Sequence, residues 1–326
     1  MKAVVCRQLG PPSVLKVEEL PAPEMVPGGV RVRMKAAALN FPDVLMVAGG
    51  YQLKPDLPFV PGMEGCGEVI EMADDVAGID IGQRVIVRMR PGAFASEVVQ
   101  QAGRVLPAPN AFSDEEAAAY MVGYATAYHC LLDRGALQAG EVALIHGATG
   151  GVGLPAIDLA KQAGATVIAT GGSDEKLQVA TRLGADHVIN YNHGFRERVL
   201  ELTDGRGADV IYDSVGGDVF DESMRCIAWR GRLVVVGFAA GRIPQLAVNR
   251  ALLRGCAVVG ARAGEFTRRE PEAGRAMERT LLEWAEAGRV RPHISHVLPL
   301  ERAVEAFELI RDRKVVGKAV LRIADA

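Results

Sequence analysis

The chain has few of the features that would tie it to a membrane, a metal or a polyanion. Its cysteines, Cys6, Cys66, Cys130, Cys226 and Cys256, are odd in number and widely spaced, and no two form a C-x-x-C pair. That argues against a disulfide framework and against a zinc knuckle, and for reduced thiols. No apolar run is long enough to span a bilayer, and Met1-Lys2-Ala3-Val4-Val5-Cys6-Arg7 lacks the apolar core of a secretory leader. The expectation is a soluble cytoplasmic protein. Lys and Arg total 37 against 40 Asp and Glu, with both signs scattered. There is accordingly no basic stripe or basic–aromatic pattern to recommend nucleic acid, and no block of like charge to mark a disordered tail. Internal repeats and low-complexity segments are absent too.

What the chain does have is length and a glycine-rich turn. At 326 residues it exceeds one typical domain, so two domains are expected. A chain of this size buries roughly three quarters of its unfolded surface, enough for stable cores without staples. The turn follows the apolar run Val142-Ala143-Leu144-Ile145, as His146-Gly147-Ala148-Thr149-Gly150-Gly151-Val152-Gly153, and a helical pattern begins at Leu154. Strand, turn and helix N-terminus together offer bare N–H groups and a positive dipole end to a pyrophosphate. Read as A-x-G-x-x-G, Ala148 takes the tight-turn place and Gly150 lets the backbone approach a ligand. Gly153 then allows close packing of helix on strand. Ala148, Thr149, Gly150, Gly151, Val152 and Gly153 are therefore candidate cofactor contacts, although such turns also join strands to helices with no ligand.

Around this turn the texture of the sequence changes twice. From Met1 to about Ser113 it reads as short strands between glycine and proline turns: Lys2–Gln8, Leu15–Leu20, Val30–Leu39, Gly65–Glu71, Arg84–Met89 and Ala95–Gln100. That spacing indicates an irregular β barrel or sandwich. Ser113-Asp114-Glu115-Glu116 is a capping-box signature, and a second helix is expected from Tyr124 to about Leu132. From Glu141 to about Arg262 strands alternate with helices. Six continuous apolar runs, at 142–145, 166–170, 187–189, 210–212, 233–236 and 257–259, suit strands covered on both faces. The class is α/β, with a doubly wound parallel sheet. Beyond a polar stretch, a helix is expected over about 268–287, then a strand at 294–299, a helix at 301–311 and a last strand at 319–323.

The chain resembles a medium-chain dehydrogenase/reductase, in the zinc-free quinone oxidoreductase (zeta-crystallin-like) branch. The residues carrying the resemblance are Asn40-Phe41-Pro42-Asp43, Gly50-Tyr51, Leu57-Pro58-Phe59-Val60-Pro61-Gly62-Met63-Glu64-Gly65, the turn Ala148–Gly153 and Gly317-Lys318-Ala319-Val320-Leu321. The resemblance spans the whole chain. It implies a GroES-like catalytic domain over 1–122, a Rossmann domain over 123–262 and a segment, 263–326, that returns to the catalytic domain. It also implies an active site in the cleft between the domains. Zinc relatives carry a Cys where Asn40 stands, a Gly-His-Glu run at Gly62-Met63-Glu64 and a third ligand near Met121. None of these replacements suits zinc, which wants three ligands from Cys, His or carboxylate. His129, His146, His187, His193, His293 and His296 show no ligand spacing. No metal is expected.

For the cofactor, an NAD site usually has an acid at the end of the second strand to hold the ribose 2′-OH. Here that strand runs into Gly171-Gly172-Ser173-Asp174-Glu175-Lys176, with no acid at its tip. Gly172 leaves room for a phosphate, Ser173 can donate to it and Lys176 can supply charge. The resemblance adds Tyr191. NADPH is the expectation, against a reading in which Ser173 only caps a helix, Lys176 is solvated, and Asp174 and Glu175 repel a dianion. Gly237 and Phe238, after the fifth strand, fall where the nicotinamide ribose would lie, and Phe238 equally suits ordinary packing. Lys318 either approaches the cofactor from the tail or is solvated.

Without a metal, hydride can still add to an electron-poor carbon conjugated to a carbonyl, given a donor for the developing oxyanion and a proton. Asn40 offers an amide donor, Tyr51 a phenol, and Asp43 either takes part or fixes the turn after Pro42. The expected reaction is NADPH-dependent reduction of a small electrophile, a quinone or an α,β-unsaturated carbonyl, by direct hydride transfer. Enoyl thioesters are the enzymatic alternative, with Arg242, Arg262, Arg268 and Arg269 as candidate contacts for a coenzyme A phosphate. A non-catalytic structural or RNA-binding role is the alternative of another class. By family analogy the sixth strand pairs with its copy in a homodimer.

Overall fold

A computed structural model describes residues 1–323. The chain forms two compact units: residues Met1–Val122 with the segment from Trp284 onward (unit 1), and Gly123–Glu283 (unit 2).

Unit 1 begins with the antiparallel pair β1 (Lys2–Cys6) and β2 (Leu15–Glu19). There follow β3 (Gly29–Ala38), α1 (Phe41–Val47), β4 (Glu64–Met72), β5 (Arg84–Arg88), β6 (Glu97–Gln101), β7 (Val105–Pro107) and α2 (Asp114–Ala118). In β3 the first half alternates: Val30, Val32 and Met34 are buried, while Arg31, Arg33 and Lys35 face outward to varying degrees. Each such apolar side chain contributes about 1.5–3 kcal/mol on leaving water. The second half, Ala36-Ala37-Ala38, is buried on both faces. Small residues there suit a strand with neighbours on both edges and cover on both sides.

Helix α3 (Met121–Ala127) and a π-helical stretch, Tyr128–Arg134, lead into the parallel sheet of unit 2. Its elements are β8 (Val142–Ile145), α4 (Gly153–Gln162), β9 (Thr166–Gly171), α5 (Asp174–Arg182), β10 (His187–Asn190), α6 (Arg196–Leu202), β11 (Ala208–Asp213), α7 (Gly217–Ser223), β12 (Ile227–Val235), α8 (Asn249–Arg254) and β13 (Ala257–Gly260). The six strands lie in the order β10-β9-β8-β11-β12-β13. This is the doubly wound order in which ligands bind beyond the strand ends, where the winding reverses between β8 and β11.

Unit 2 extends further than the sequence suggested. Residues 263–283 belong to it, so the return to unit 1 starts at Trp284 instead of residue 263. The packing explains this, since the buried Phe266 ring stacks on His129 with centroids 4.3 Å apart. The helix expected over about 268–287 is α10 (Pro271–Glu286), and an additional short helix, α9 (Ala263–Arg269), forms in the polar stretch before it. Pro271 lacks an N–H and cannot continue a preceding helix, but it suits the first turn of a new one. The chain ends in unit 1 with β14 (Ile294–Pro299), α11 (Ala303–Arg311) and β15 (Lys318–Arg322). The larger sheet of unit 1 has the order β14-β15-β3-β4-β5-β7, with β6 also paired to β3.

Candidate active site

That strand order makes a polar cluster in unit 1. Strand β15 runs antiparallel to β3 with Val320 opposite Ala38, and β4 pairs on the other edge of β3 with Glu64 opposite Ala38. Continuing the first register past the strand end brings Lys318 level with Asn40, a pairing held by the Leu39 N–H donating to the Ala319 carbonyl at 2.9 Å. Lys318 Nζ donates to Asn40 Oδ1 and to Glu64 Oε1, both at 2.7 Å. Asn40 Nδ2 donates to Glu64 Oε1 at 3.1 Å, and Glu64 Oε2 accepts the Val122 N–H at 2.8 Å. Asn40, Glu64 and Lys318 are all buried. Removing one partner of so buried an ion pair costs about 3–5 kcal/mol, because the other charge is left without water or a counter-ion.

Asp43 lies next to this cluster, three residues into α1. Its carboxylate accepts the N–H of Asn40 at 2.8 Å and that of Gly62 at 3.2 Å, fixing both the helix start and the Pro61–Gly62 turn. Burial pushes its carboxyl up to about 7, against the pull of the Asn40 N–H, the Lys318 charge and the Gly62 N–H. Asp43 has no exposed surface, and these two bonds tie it to the turn. Tyr51 sits on the loop after α1, half-buried against the apolar core. Lys318, considered above for a cofactor contact, has its ammonium bound to Asn40 and Glu64. Glu64 itself was not singled out by the sequence. Its signal was its place beside Met63, where zinc relatives keep a ligand.

The dinucleotide elements assemble in unit 2. Gly147, instead of Ala148, takes the positive-φ position of the turn (φ +60°), where a Cβ would stand 2.7 Å from Ser214 Oγ. This corrects the assignment of the tight turn to Ala148, whose N–H instead donates to the Thr170 carbonyl at 3.0 Å. A Cβ on Gly153 would run into the carbonyl of Gly147 and the backbone of Ala148, so α4 and the turn approach as closely as only glycine permits. Among the described residues, the N–H groups of Thr149, Gly151 and Val152 meet no acceptor, and no acid occupies the first turn of α4. Those donors and the helix dipole suit a pyrophosphate.

The loops after β8, β11 and β12 converge beside this turn. Ser214 Oγ donates to the His146 carbonyl at 3.1 Å, and Asp213 Oδ1 accepts the N–H groups of Val215 and Gly216 at 2.9 and 2.8 Å. Phe238 packs on Gly216, where a Cβ would lie 2.9 Å from its ring, while a good part of the ring stays exposed. Gly237 lies over Ser214. At the end of β9, Tyr191 stands against Gly172, whose Cβ position is 3.4 Å from the phenol oxygen. Ser173 caps α5, its oxygen accepting the Lys176 N–H at 3.4 Å, and its own proton stays available to donate. Burial lowers the Lys176 ammonium, with Glu175 acting the other way. Asp174 is held aside by Asn190 Nδ2 at 3.0 Å. Gly172, Ser173, Lys176 and Tyr191 thus share one corner of the sheet's binding edge. The arginines considered for a coenzyme A phosphate have carboxylate partners: Arg242 pairs with Asp218 and Asp221, and Arg262, Arg268 and Arg269 gather on Glu265.

Comparison with known proteins places these features in a family. Residues 26–110 match the alcohol dehydrogenase GroES-like domain, and residues 151–281 match the zinc-binding dehydrogenase family. The zinc in that description does not fit this chain. Where the resemblance puts the zinc ligands, the chain has an amide (Asn40) and two thioethers (Met63 and, near the third position, Met121), and no group of three or more His, Cys, Asp or Glu among the described residues could hold a metal ion. A quinone oxidoreductase-like protein 2 homolog of Nematostella vectensis is 37% identical over 323 residues, covering 98% of this chain and 88% of that protein. The solved Escherichia coli quinone oxidoreductase complexed with NADPH superposes with a TM-score of 0.92 at 30% identity, over 99% of this chain and 100% of the other. A solved NAD-dependent alcohol dehydrogenase gives 0.89 at 33% identity, over 99% and 100%. The chain is thus an oxidoreductase with the fold of a nicotinamide enzyme, and it belongs to the zinc-free quinone oxidoreductase branch of the medium-chain dehydrogenase/reductase family.

Proposed function

We propose that the protein is an NADPH-dependent reductase that delivers hydride directly to a quinone or an α,β-unsaturated carbonyl, using neither zinc nor flavin. The observation that carries this reading is the buried Asn40–Glu64–Lys318 cluster, which fills with hydrogen bonds the place where zinc relatives keep a Lewis acid. Without that ion, an alcohol or simple aldehyde is poorly polarised, whereas a conjugated carbonyl spreads the incoming charge to its own distant oxygen.

On this reading the turn from Gly147 to Gly153 holds the pyrophosphate, and Gly172, Ser173, Lys176 and Tyr191 hold the adenosine phosphate. Bound NADPH supplies the hydride. The Asn40 amide donates to the substrate oxygen as charge develops there, and Tyr51 or water supplies the proton. Asp43 keeps Asn40 in place. We further assign the working form to a homodimer. Strand β13 lies at the sheet edge with Val258 exposed, and no residue of the neighbouring α8 is buried, so Leu252 and Leu253 face outward. Unpaired apolar edges of this kind call for a partner. Four of the five cysteines are buried and all are free, in keeping with a reducing compartment such as the cytoplasm.

The test is turnover by protein dialysed against chelator and free of flavin. NADPH is followed by absorbance with a benzoquinone, an alkenal or enone and crotonyl-CoA in parallel. Oxidation with the quinone or enone is expected. Turnover with crotonyl-CoA alone would move the assignment to thioesters, and turnover with none would leave a binding role.

A further inference from the structure

The Asn40 amide is held in one orientation. Its oxygen accepts from the Lys318 ammonium at 2.7 Å, while its nitrogen donates to Glu64 Oε1 at 3.1 Å and to the Ala38 carbonyl at 3.4 Å. Flipped, the amide would set donor against ammonium and acceptor against both carboxylate and carbonyl, so the assignment is forced by its neighbours. Lys318 is fixed in turn by Glu64, whose second oxygen takes the Val122 N–H at 2.8 Å. The side chains of Lys318 and Glu64 are 4% and 0% exposed, so water does not compete for these bonds.

We infer that Lys318 and Glu64 are positioning residues: together they lock and polarise the Asn40 amide, so that the Nδ2 hydrogen now in the long bond to Ala38 becomes the donor for the substrate oxygen. A cation on the amide oxygen draws electron density from its nitrogen and strengthens the N–H donors. Of the two Nδ2 bonds, the one to Ala38 is at the edge of hydrogen-bonding range, so it exchanges for a developing oxyanion at little cost. The inference rests on the proposed reduction of a conjugated carbonyl, and it moves Lys318 from cofactor contact to support of the oxyanion donor.

The test compares wild type with Lys318→Met and with the double variant Glu64→Gln/Lys318→Met. The double variant removes both charges, and so folds even where the single one leaves Glu64 uncompensated. With NADPH and a benzoquinone, kcat is expected to fall about 100-fold in both, as for loss of an oxyanion donor. The dissociation constant for NADPH, read from its fluorescence, is expected to stay within about threefold. The side-chain NH2 signal of Asn40 in a ¹⁵N-asparagine-labelled sample, assigned by its loss in Asn40→Ser, is expected to exchange with water at least about tenfold faster. Unchanged kcat and unchanged exchange in the double variant would overturn the inference. So would a collapse of NADPH affinity with the amide still protected, which would return Lys318 to the cofactor. If wild type reduces no electrophile, the reaction itself is wrong and the exchange measurement decides alone: faster exchange keeps the positioning role, and unchanged exchange removes it.

Discussion

His146 is fully buried in unit 2, and both of its ring nitrogens have partners: Nδ1 lies 2.7 Å from Thr170 Oγ1 and Nε2 lies 2.8 Å from Ser223 Oγ. Ser223 gives its single proton to the Val219 carbonyl at 2.6 Å, so the histidine must carry hydrogen on Nε2 and accept at Nδ1. Charging the ring would disturb this pattern in a fully buried place, and burial holds its pKa down to about 3. Asp43 is the opposite case, pushed up to about 7. The signs follow from proton counts. As pH falls from about 6.5 towards 3, the unfolded chain binds a proton at His146 that the folded chain refuses, so stability is lost. As pH rises from about 4 to 7, the folded chain keeps a proton at Asp43 that the unfolded chain releases, so stability is again lost. Each slope approaches about 1.4 kcal/mol per pH unit. His146→Gln should lose less stability on acidification than wild type does. Asp43→Asn should lose less between about pH 4 and 7. Denaturant titrations across pH check both. A difference from wild type that does not change with pH would contradict the assigned shifts.

Among the elements, β9 and β13 have edges that can be tested. The tip of β9 has Gly172 where an acid would select NADH, and a Cβ there has only ordinary contact with Tyr191. Gly172→Asp should therefore fold, and its carboxylate should repel a 2′-phosphate while accepting a 2′-OH. Its kcat/KM with NADPH is expected to fall about 10- to 100-fold, the scale of charged hydrogen bonds, with NADH activity kept or raised. Lys176→Ala should move preference the same way by a smaller factor. A Gly172→Asp enzyme that still prefers NADPH would contradict the assignment of this corner. At the other side of the sheet, Val258→Asp places a charge on the exposed strand β13. If two copies pair there, light scattering should show a dimer for wild type and a monomer for the variant. A wild-type monomer would remove that pairing.

At the scale of the whole molecule, the six strands of unit 2 were readable because parallel strands buried on both faces write continuous apolar runs, and Val142–Ile145 or Thr166–Thr170 have no other use. The turn was readable because Gly153 is demanded by backbone contact. Its tight place was misread by one residue, since only the observed φ distinguishes Gly147 from Ala148. Helix α1 went unread because it is short and carries a proline near its start. Helix α9 went unread because it lies in a polar stretch, whereas α10 starts at Pro271, close to the expected 268. The Asn40–Glu64–Lys318 cluster was the least legible feature. Its members are far apart in sequence and meet only through the registers of β15 and β4 on β3, which periodicity does not specify. Family resemblance picked out Asn40 and Lys318 separately, and the fold shows that they touch.

Hydride that passes straight from NADPH to a conjugated carbon, with no metal or flavin between them, leaves an isotopic record in the product. Chelator-treated, flavin-free protein is given NADPH deuterated on one face of the nicotinamide C4, together with a cyclic enone, and the saturated product is examined by mass spectrometry and NMR. A single deuterium is expected at the β-carbon for one of the two deuterated faces, and none for the other. Product without deuterium from either face, or reduction that begins only on adding zinc or flavin, would contradict direct transfer.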